Sequence, residues 1–311
     1  MKIRSSLAKG RHLLGGLYRR YLKPASVVAA QDSAQALPGQ TFKQERLRRI
    51  APHLICSNCA GELNADKSIC QRCRQTYRHT AHCFNFLTTE QQRACKIVPT
   101  ENVAANDYDE IAAAIIAEQA NGLILDCGAG CHNTDYANVI NYEVASYPST
   151  DVLGVGESLP FRAETFDAIF SLNVLEHVSD PFACAREITR VLKRGGTLYC
   201  VAPFLQPVHG YPNHFYNMTA QGLSQLFEKR VEIIEHKVPP SGVPIWAVNW
   251  ILRSWADGLE GQTRADFLAL RVGDLIADEP SGYLARDFVT QLSAEKNFEL
   301  ACTTMLLGRK I

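Results

Sequence analysis

The stretch Leu123-Ile-Leu-Asp-Cys-Gly-Ala-Gly130 decides how the rest of the chain is read. A short apolar run after the breaker Asn121-Gly122 predicts a buried strand. The run ends in an acid, Asp126, and two glycines follow at alternate positions, Gly128 and Gly130. At the carboxyl end of a parallel strand, such glycines let the backbone turn tightly and approach a nucleotide-like ligand. A second acid, Glu143, ends the next predicted strand 17 residues after Asp126, where a carboxylate suits a two-pronged hold on a ribose diol. NAD is the rival ligand. However, the third glycine of G-x-G-x-x-G would fall at Asn133, and Asp126 would repel an approaching pyrophosphate. A cationic ligand carrying an amino-acid group suits that acid better.

Outward from this turn, predicted strands alternate with helices. Strands are expected at Leu123–Cys127, Val139–Glu143, Asp151–Val155, Phe166–Ser171, Thr197–Ala202, 231–237 and Phe298–Leu307. An Ala/Ile-rich helix precedes the first of them, within 101–120. Another spans 181–192, with Ser179-Asp180 as cap, Pro181 at its first position and Gly195-Gly196 as terminator. A further helix lies near 219–227, and residues 243–295 read as mostly helical. The alternation predicts an α/β fold: a doubly wound, mostly parallel seven-stranded sheet with helices on both faces.

The front of the chain differs in kind. All 311 residues sum to zero net charge, but residues 1–100 carry 17 Lys+Arg against 5 Asp+Glu and the remainder 15 against 27. Residues 1–50 read as a basic arm, with Leu13, Leu14, Leu17, Tyr18, Tyr21 and Leu22 at helical spacing and a Pro-bounded linker over 24–41. Such a front half suits an anionic partner: nucleic acid, a phospholipid surface or the acidic half of the same chain. The apolar content of 46% excludes wholesale disorder. The nearly apolar stretches 111–117 and 244–252 are much shorter than the roughly 18–20 residues of a membrane span. Eleven cysteines, an odd count without an export signal, point to a reducing compartment, and a cytoplasmic protein is expected.

Four of those cysteines have metal spacing. Cys56-x2-Cys59-x10-Cys70-x2-Cys73 is a pair of knuckles able to close a tetrahedral, structural Zn²⁺ site. A module over 51–95 is too short for a core without such a staple. His79, His82 and Cys83 are surplus to a four-ligand set. The resulting organisation is an arm and linker over 1–50, a zinc ribbon over 51–95 and a larger domain over 101–311 with a helical insertion at about 243–295.

Residues 123–205 resemble the class I S-adenosylmethionine-dependent methyltransferases of the small type 11 kind. LDCGAG, NYEV (141–144), VGESLPF (155–161), FDAIFSLNVLEHVSDP (166–181) and REITRVLKRGGTLYCVAPF (186–204) are similar to five family motifs in the family's order. The resemblance implies S-adenosylmethionine as cofactor and a methyl acceptor as substrate. It implies that Asp126 holds the methionine amino group, with Gly128 and Gly130 lining that end. Glu143 would take the ribose, Gly156, Glu157 and Leu159 the adenine, and Asn173 the methionine part. Two positions depart from the pattern: His132 stands where a third glycine is common, and Val155 where an acid often precedes the adenine. The module with four cysteines resembles zinc ribbons ahead of some bacterial methyltransferases, including a group acting on ribosomal RNA. Arg46, Arg48, Arg49, Arg72, Arg74 and Arg78 would then suit phosphate, or the ribbon would pack on the acidic domain.

Methyl transfer from a sulfonium needs alignment and exclusion of water, and a base only where the acceptor must lose a proton. The segment 207–217 holds His209, Tyr211, His214 and Tyr216, of which His209 and His214 are the candidate bases. No [DN]PP[YF] tetrapeptide follows the fourth strand, and Cys200 does not follow a proline, which argues against base-amine and cytosine C5 chemistry. The expected acceptor is a small or glycan- or lipid-linked metabolite. RNA comes second, and a non-catalytic binding protein on the same fold is the third reading.

Overall fold

The structure is a computed structural model that describes residues 42–95, 107–210 and 213–305. The amphipathic segment around 13–22, the linker over 24–41 and Tyr211 lie outside the described residues. The chain forms two compact units, Met1–Val201 and Ala202–Ile311.

The first unit is built on a six-stranded, all-parallel sheet. Its strands are β1 (Phe84–Asn85), β2 (Ile124–Cys127), β3 (Val139–Glu143), β4 (Val152–Leu153), β5 (Phe166–Leu172) and β6 (Leu192–Val201), in the order β1-β4-β3-β2-β5-β6. β2 is buried along its whole length, as a central parallel strand with helices on both faces must be. Side chains alternate between the faces. Ile124, Val139, Ala168 and Phe170 pack on Ala112, Ile115 and Ile116 of the helix Glu110–Glu118. Cys127 points the other way, to Cys184 of the helix Pro181–Val191. Both helices start where their caps dictate. The Asp109 carboxylate accepts from the Ala112 amide at 2.9 Å and Asp180 from Ala183 at 2.8 Å.

Three expectations are corrected. The helix ends at Val191, and Leu192 already pairs with Phe166 in β6. Gly195-Gly196 is therefore not a helix terminator. It sits in a bulge of β6, with Gly195 at φ +73°, where the register slips between Phe166 and Ala168. The segment 231–237 forms no strand, and Ala294–Leu300 is a helix where the last strand was expected to begin. The sheet of the described residues thus has six strands rather than seven. One of the six, β1, was not expected as part of the sheet.

β1 ties the cysteine module to the sheet edge. Phe84 and Asn85 pair with Val152 and Leu153, and the Phe86 amide donates to the Leu153 carbonyl at 2.8 Å. Residues grouped with the arm also join this unit. Lys43–Ile50 is a helix whose Arg46 is fully buried. Arg46 Nε donates to Asp151 Oδ2 at 2.7 Å, and its Nη1 donates to Asp135. Lys43 Nζ donates to the carbonyls of Pro148 and Thr150, and Arg49 to those of Ala137, Asn121 and Gly122.

The second unit is helical, with Ala220–Phe227, Pro244–Asp257, Gly261–Ala269, Val272–Ile276, Asp287–Thr290 and Ala294–Leu300. Its small core joins Ala256, Leu259 and Phe267 to Trp255 and Phe288. No helix among the described residues is long and apolar enough to cross a membrane.

Candidate functional site

The carboxyl ends of β2 and β3 bring Asp126, the glycine turn and Glu143 together. Gly128 (φ +87°) and Gly130 (φ +64°) occupy the left-handed region that the turn requires. The Gly128 and Ala129 amides both donate to the Tyr142 carbonyl, at 2.9 and 3.1 Å, which folds the turn back over β3. A Cβ on Gly128 would lie 2.5 Å from Val174 Cγ2, so this position is glycine for packing as well as for backbone. Glu143 is threaded into the same turn. Its Oε2 accepts from the Gly130 amide at 2.8 Å and its Oε1 from Val144 at 2.7 Å. Burial raises its carboxyl above the ordinary glutamate range, opposed by those amides.

Asp126 is buried and already engaged. Its Oδ2 accepts from the Tyr108 hydroxyl at 2.7 Å and meets His132 Nε2 at 2.9 Å. The His132 ring packs on Tyr108 with centroids 4.6 Å apart, and the His132 amide donates to Ser149 Oγ at 3.1 Å. Thus the residue at the third-glycine position reaches back onto the acid. Both contacts fall on Oδ2. A carboxylate offers about four lone-pair positions over two oxygens, so Oδ1 is the oxygen that can face an ammonium group. Burial and the adjacent carboxylate hold the Tyr108 phenol well above its usual range, so it donates rather than ionises. Tyr108 lies 18 residues before Asp126 and outside every motif, so nothing in the sequence marked it.

The segment 154–162 runs beside this edge. The Gly154 amide donates to the Glu143 carbonyl at 3.0 Å, and Ser158 closes a turn onto Val155 at 3.1 Å. Gly156 is buried, and a Cβ there would meet Cys184 Sγ at 2.7 Å. Glu157 turns away to the helix entrance, where its Oε1 accepts from Ser179 N and Oγ at 3.2 and 3.1 Å. Leu159 is buried and its amide donates to Glu187 at 2.9 Å. Asn173 follows the end of β5 at φ +57°, its amide held by the Val201 carbonyl at 2.9 Å.

Cys56, Cys59, Cys70 and Cys73 bring four Sγ atoms within 4.8 Å of one another. The Cys56–Cys73 and Cys59–Cys70 separations are 3.6 and 3.5 Å. Four thiolates about 2.3 Å from one ion stand about 3.8 Å apart, whereas a disulfide needs about 2.05 Å. The donor set and its spacing therefore fit a closed tetrahedral ion. The Tyr77 hydroxyl lies 3.1 Å from Cys56 Sγ, an outer contact of the kind that orients ligands. His79 has a different role: its Nδ1 accepts from the Asn85 amide and its Nε2 meets the Lys67 carbonyl, both at 2.8 Å. It ties the module to β1.

His209 and His214 belong to the second unit. Their rings meet at 4.4 Å. The His209 amide donates to His214 Nδ1 at 3.0 Å, His214 Nε2 meets Asn217 Oδ1 at 2.9 Å, and His209 Nδ1 meets the Pro207 carbonyl at 2.8 Å. These bonds shape the loop. Among the six arginines considered for phosphate, Arg46 and Arg49 are spent inside the first unit and Arg48 pairs with Glu45 at 2.7 Å. Arg72, Arg74 and Arg78 stay exposed on the cysteine module.

Residues 101–200 match the family model described as "Methyltransferase domain". A chloroplastic 2-methyl-6-phytyl-1,4-hydroquinone methyltransferase 1 from Oryza sativa subsp. japonica is 38% identical over 82 residues, which is 26% of this chain and 23% of that protein. The chain thus spans about a quarter of the length of this curated relative. Among solved structures, YcgJ of Bacillus subtilis shares 17% identity at a TM-score of 0.34, covering 55% of this chain and 85% of that one. Phosphoethanolamine N-methyltransferase 2 of Haemonchus contortus shares 16% at 0.33, covering 51% and 44%. With the motifs, the parallel sheet and the matched residues in agreement, residues 101–200 are a class I S-adenosylmethionine-dependent methyltransferase domain. The four clustered cysteines form a small module ahead of it.

Proposed function

We propose that the protein transfers a methyl group from S-adenosylmethionine to a small or lipid- or glycan-linked acceptor, and that its ribbon carries a structural zinc ion. The observation that carries this reading is the pairing of Asp126 with Glu143 around a turn whose two glycines hold positive φ. When bound, the donor supplies an activated methyl on a sulfonium. Asp126 would meet the ammonium of its amino-acid end through Oδ1, and Glu143 would take a ribose hydroxyl on Oε2. The backbone around Gly156 and Leu159 would flank the adenine and exclude water.

The lipid-linked acceptor is supported by the rice relative, a 2-methyl-6-phytyl-1,4-hydroquinone methyltransferase. Docking of RNA through the ribbon has less support, since two of the six arginines that would suit phosphate, Arg46 and Arg49, are engaged within the first unit. The eleven free thiols, four of them poised for an ion, suit a reducing, cytoplasmic setting.

Two measurements test the reading. Calorimetry with S-adenosylhomocysteine should show binding that Asp126→Ala and Glu143→Ala weaken at least tenfold. Cell extract incubated with donor labelled in the methyl group, then fractionated, should carry label in the lipid or small-molecule fraction. No detectable binding would leave a non-catalytic binding protein, and label confined to RNA would transfer the assignment to RNA methylation.

A further inference from the structure

We propose that the cysteine module is a positioning element of the donor site, acting through Ser57 and Ser158, so that metal occupancy and donor affinity are linked. The inference rests on the reading of 155–161 as the adenine wall given above.

Ser57 lies between the ligands Cys56 and Cys59, so its backbone is set by the knuckle that the ion closes. Its carbonyl accepts from the Ser158 hydroxyl, in the turn Val155–Ser158. Ser158 is not alone. The Ile55 amide donates to the Pro160 carbonyl at 2.9 Å, Leu54 bridges Phe161, and the Arg162 amide donates to the His53 carbonyl at 2.9 Å. Arg162 Nη2 pairs with Glu62 at 2.5 Å, the latter inside the loop between the knuckles. On its other side the same segment is held by the helix Pro181–Val191. Glu157 reaches Ser179, Leu159 donates to Glu187, and Arg190 donates to the carbonyls of Phe161 and Leu159 at 2.7 and 3.0 Å. The adenine wall is thus a short loop clamped between a metal-closed knuckle and a helix. Releasing one jaw loosens the loop without unfolding the sheet. The expected effect is therefore graded, the size of one or two hydrogen bonds, about five- to tenfold in affinity.

Linkage makes the coupling reciprocal: if the metal tightens donor binding, the donor must tighten metal binding by the same factor. The test uses the full chain loaded with zinc. S-adenosylhomocysteine affinity is measured by calorimetry for wild type, Ser158→Ala, Ser158→Thr and Glu62→Gln, with zinc content read by atomic absorption. In parallel, zinc is competed away with a chromogenic chelator, with and without saturating S-adenosylhomocysteine. Ser158→Ala should keep its zinc, lose about fivefold in affinity, and lose the protection that the ligand gives wild-type zinc. Ser158→Thr should restore both, and Glu62→Gln should shift both in the same direction by less. The proposal is overturned if Ser158→Ala binds as wild type, or if chelation of wild-type zinc is indifferent to the ligand. A wild-type, zinc-loaded protein that binds no S-adenosylhomocysteine would instead remove the donor-site reading itself, and this proposal with it.

Discussion

At the level of single residues, Asp126 reaches the end of β2 with one oxygen committed to Tyr108 and His132. An ammonium group at Oδ1, as proposed, would share the carboxylate with an imidazole on Oδ2 and so meet a charge already partly engaged. Hydrogen bonds to charged groups contribute roughly 1.5–3 kcal/mol, so removing the imidazole has a measurable benefit. His132→Gly, which restores a third glycine, should tighten S-adenosylhomocysteine binding about tenfold by calorimetry. Weaker binding would mean that the ring belongs to the donor seat, and unchanged binding that it does not weaken the hold of Asp126. Glu176 makes a second prediction. It is fully buried, with His177 Nε2 3.6 Å from its Oε1, and burial pushes its carboxyl up to about 8. A raised value means that the unfolded chain releases its proton first. The contribution to stability is complete below pH 4.5 and is lost as pH rises toward 8. The melting temperature should fall across that window, and Glu176→Gln should flatten the profile. An unchanged slope would place the proton elsewhere.

At the level of elements, the helix Lys43–Ile50 is anchored through one guanidinium. Arg46 and Asp151 are both buried, and Arg46 Nη2 and Asp151 Oδ1 have no hydrogen-bond partner among the described residues. Breaking such a pair from one side strands a charge, at a cost of about 3–5 kcal/mol, whereas an apolar pair of similar volume is often tolerated. Arg46→Ala should therefore shift the urea midpoint far more than Arg46→Met combined with Asp151→Leu. Equal losses would assign the stability to the helix rather than the charges. The glycines separate two kinds of requirement. Gly195 (φ +73°) has nothing within 4 Å of a built Cβ, so Gly195→Ala carries only the backbone strain, about 1 kcal/mol. Gly128→Ala adds a collision with Val174 and should destabilise by at least 1–3 kcal/mol more, in thermal melts of both variants.

Over the whole molecule, what was legible follows from locality. The strands around Asp126 and Glu143 and the cap of the helix Pro181–Val191 are encoded by neighbours in sequence, and they form within a few residues of expectation. The Gly195-Gly196 pair misled because glycine serves a helix stop and a strand bulge equally well. The segments 231–237 and 298–305 have a strand's composition, but composition does not supply a pairing partner. Tyr108, the two-residue strand β1 and the burial of Arg46 depend on contacts about 18 to 105 residues away, which no local pattern encodes. One consequence is testable at this scale. Since Arg46 is buried and Arg49 is engaged by backbone carbonyls, mutating Arg72, Arg74 and Arg78 together to Ala should leave methylation of a lipid or small-molecule acceptor unchanged. A loss confined to RNA labelling would instead favour the ribosomal reading.

The edge strand β1 also carries an implication for synthesis. Phe84 leaves the ribosome well before its partner Val152, while the knuckles that precede it close over only a few residues. With a zinc ion bound as proposed, the sulfur cluster would close while the sheet does not yet exist, and would then wait as a preformed border against which β4 completes itself. Scarcity of such an ion would then be felt during translation, as nascent chains with an open, adhesive flank, more than as loss of finished protein.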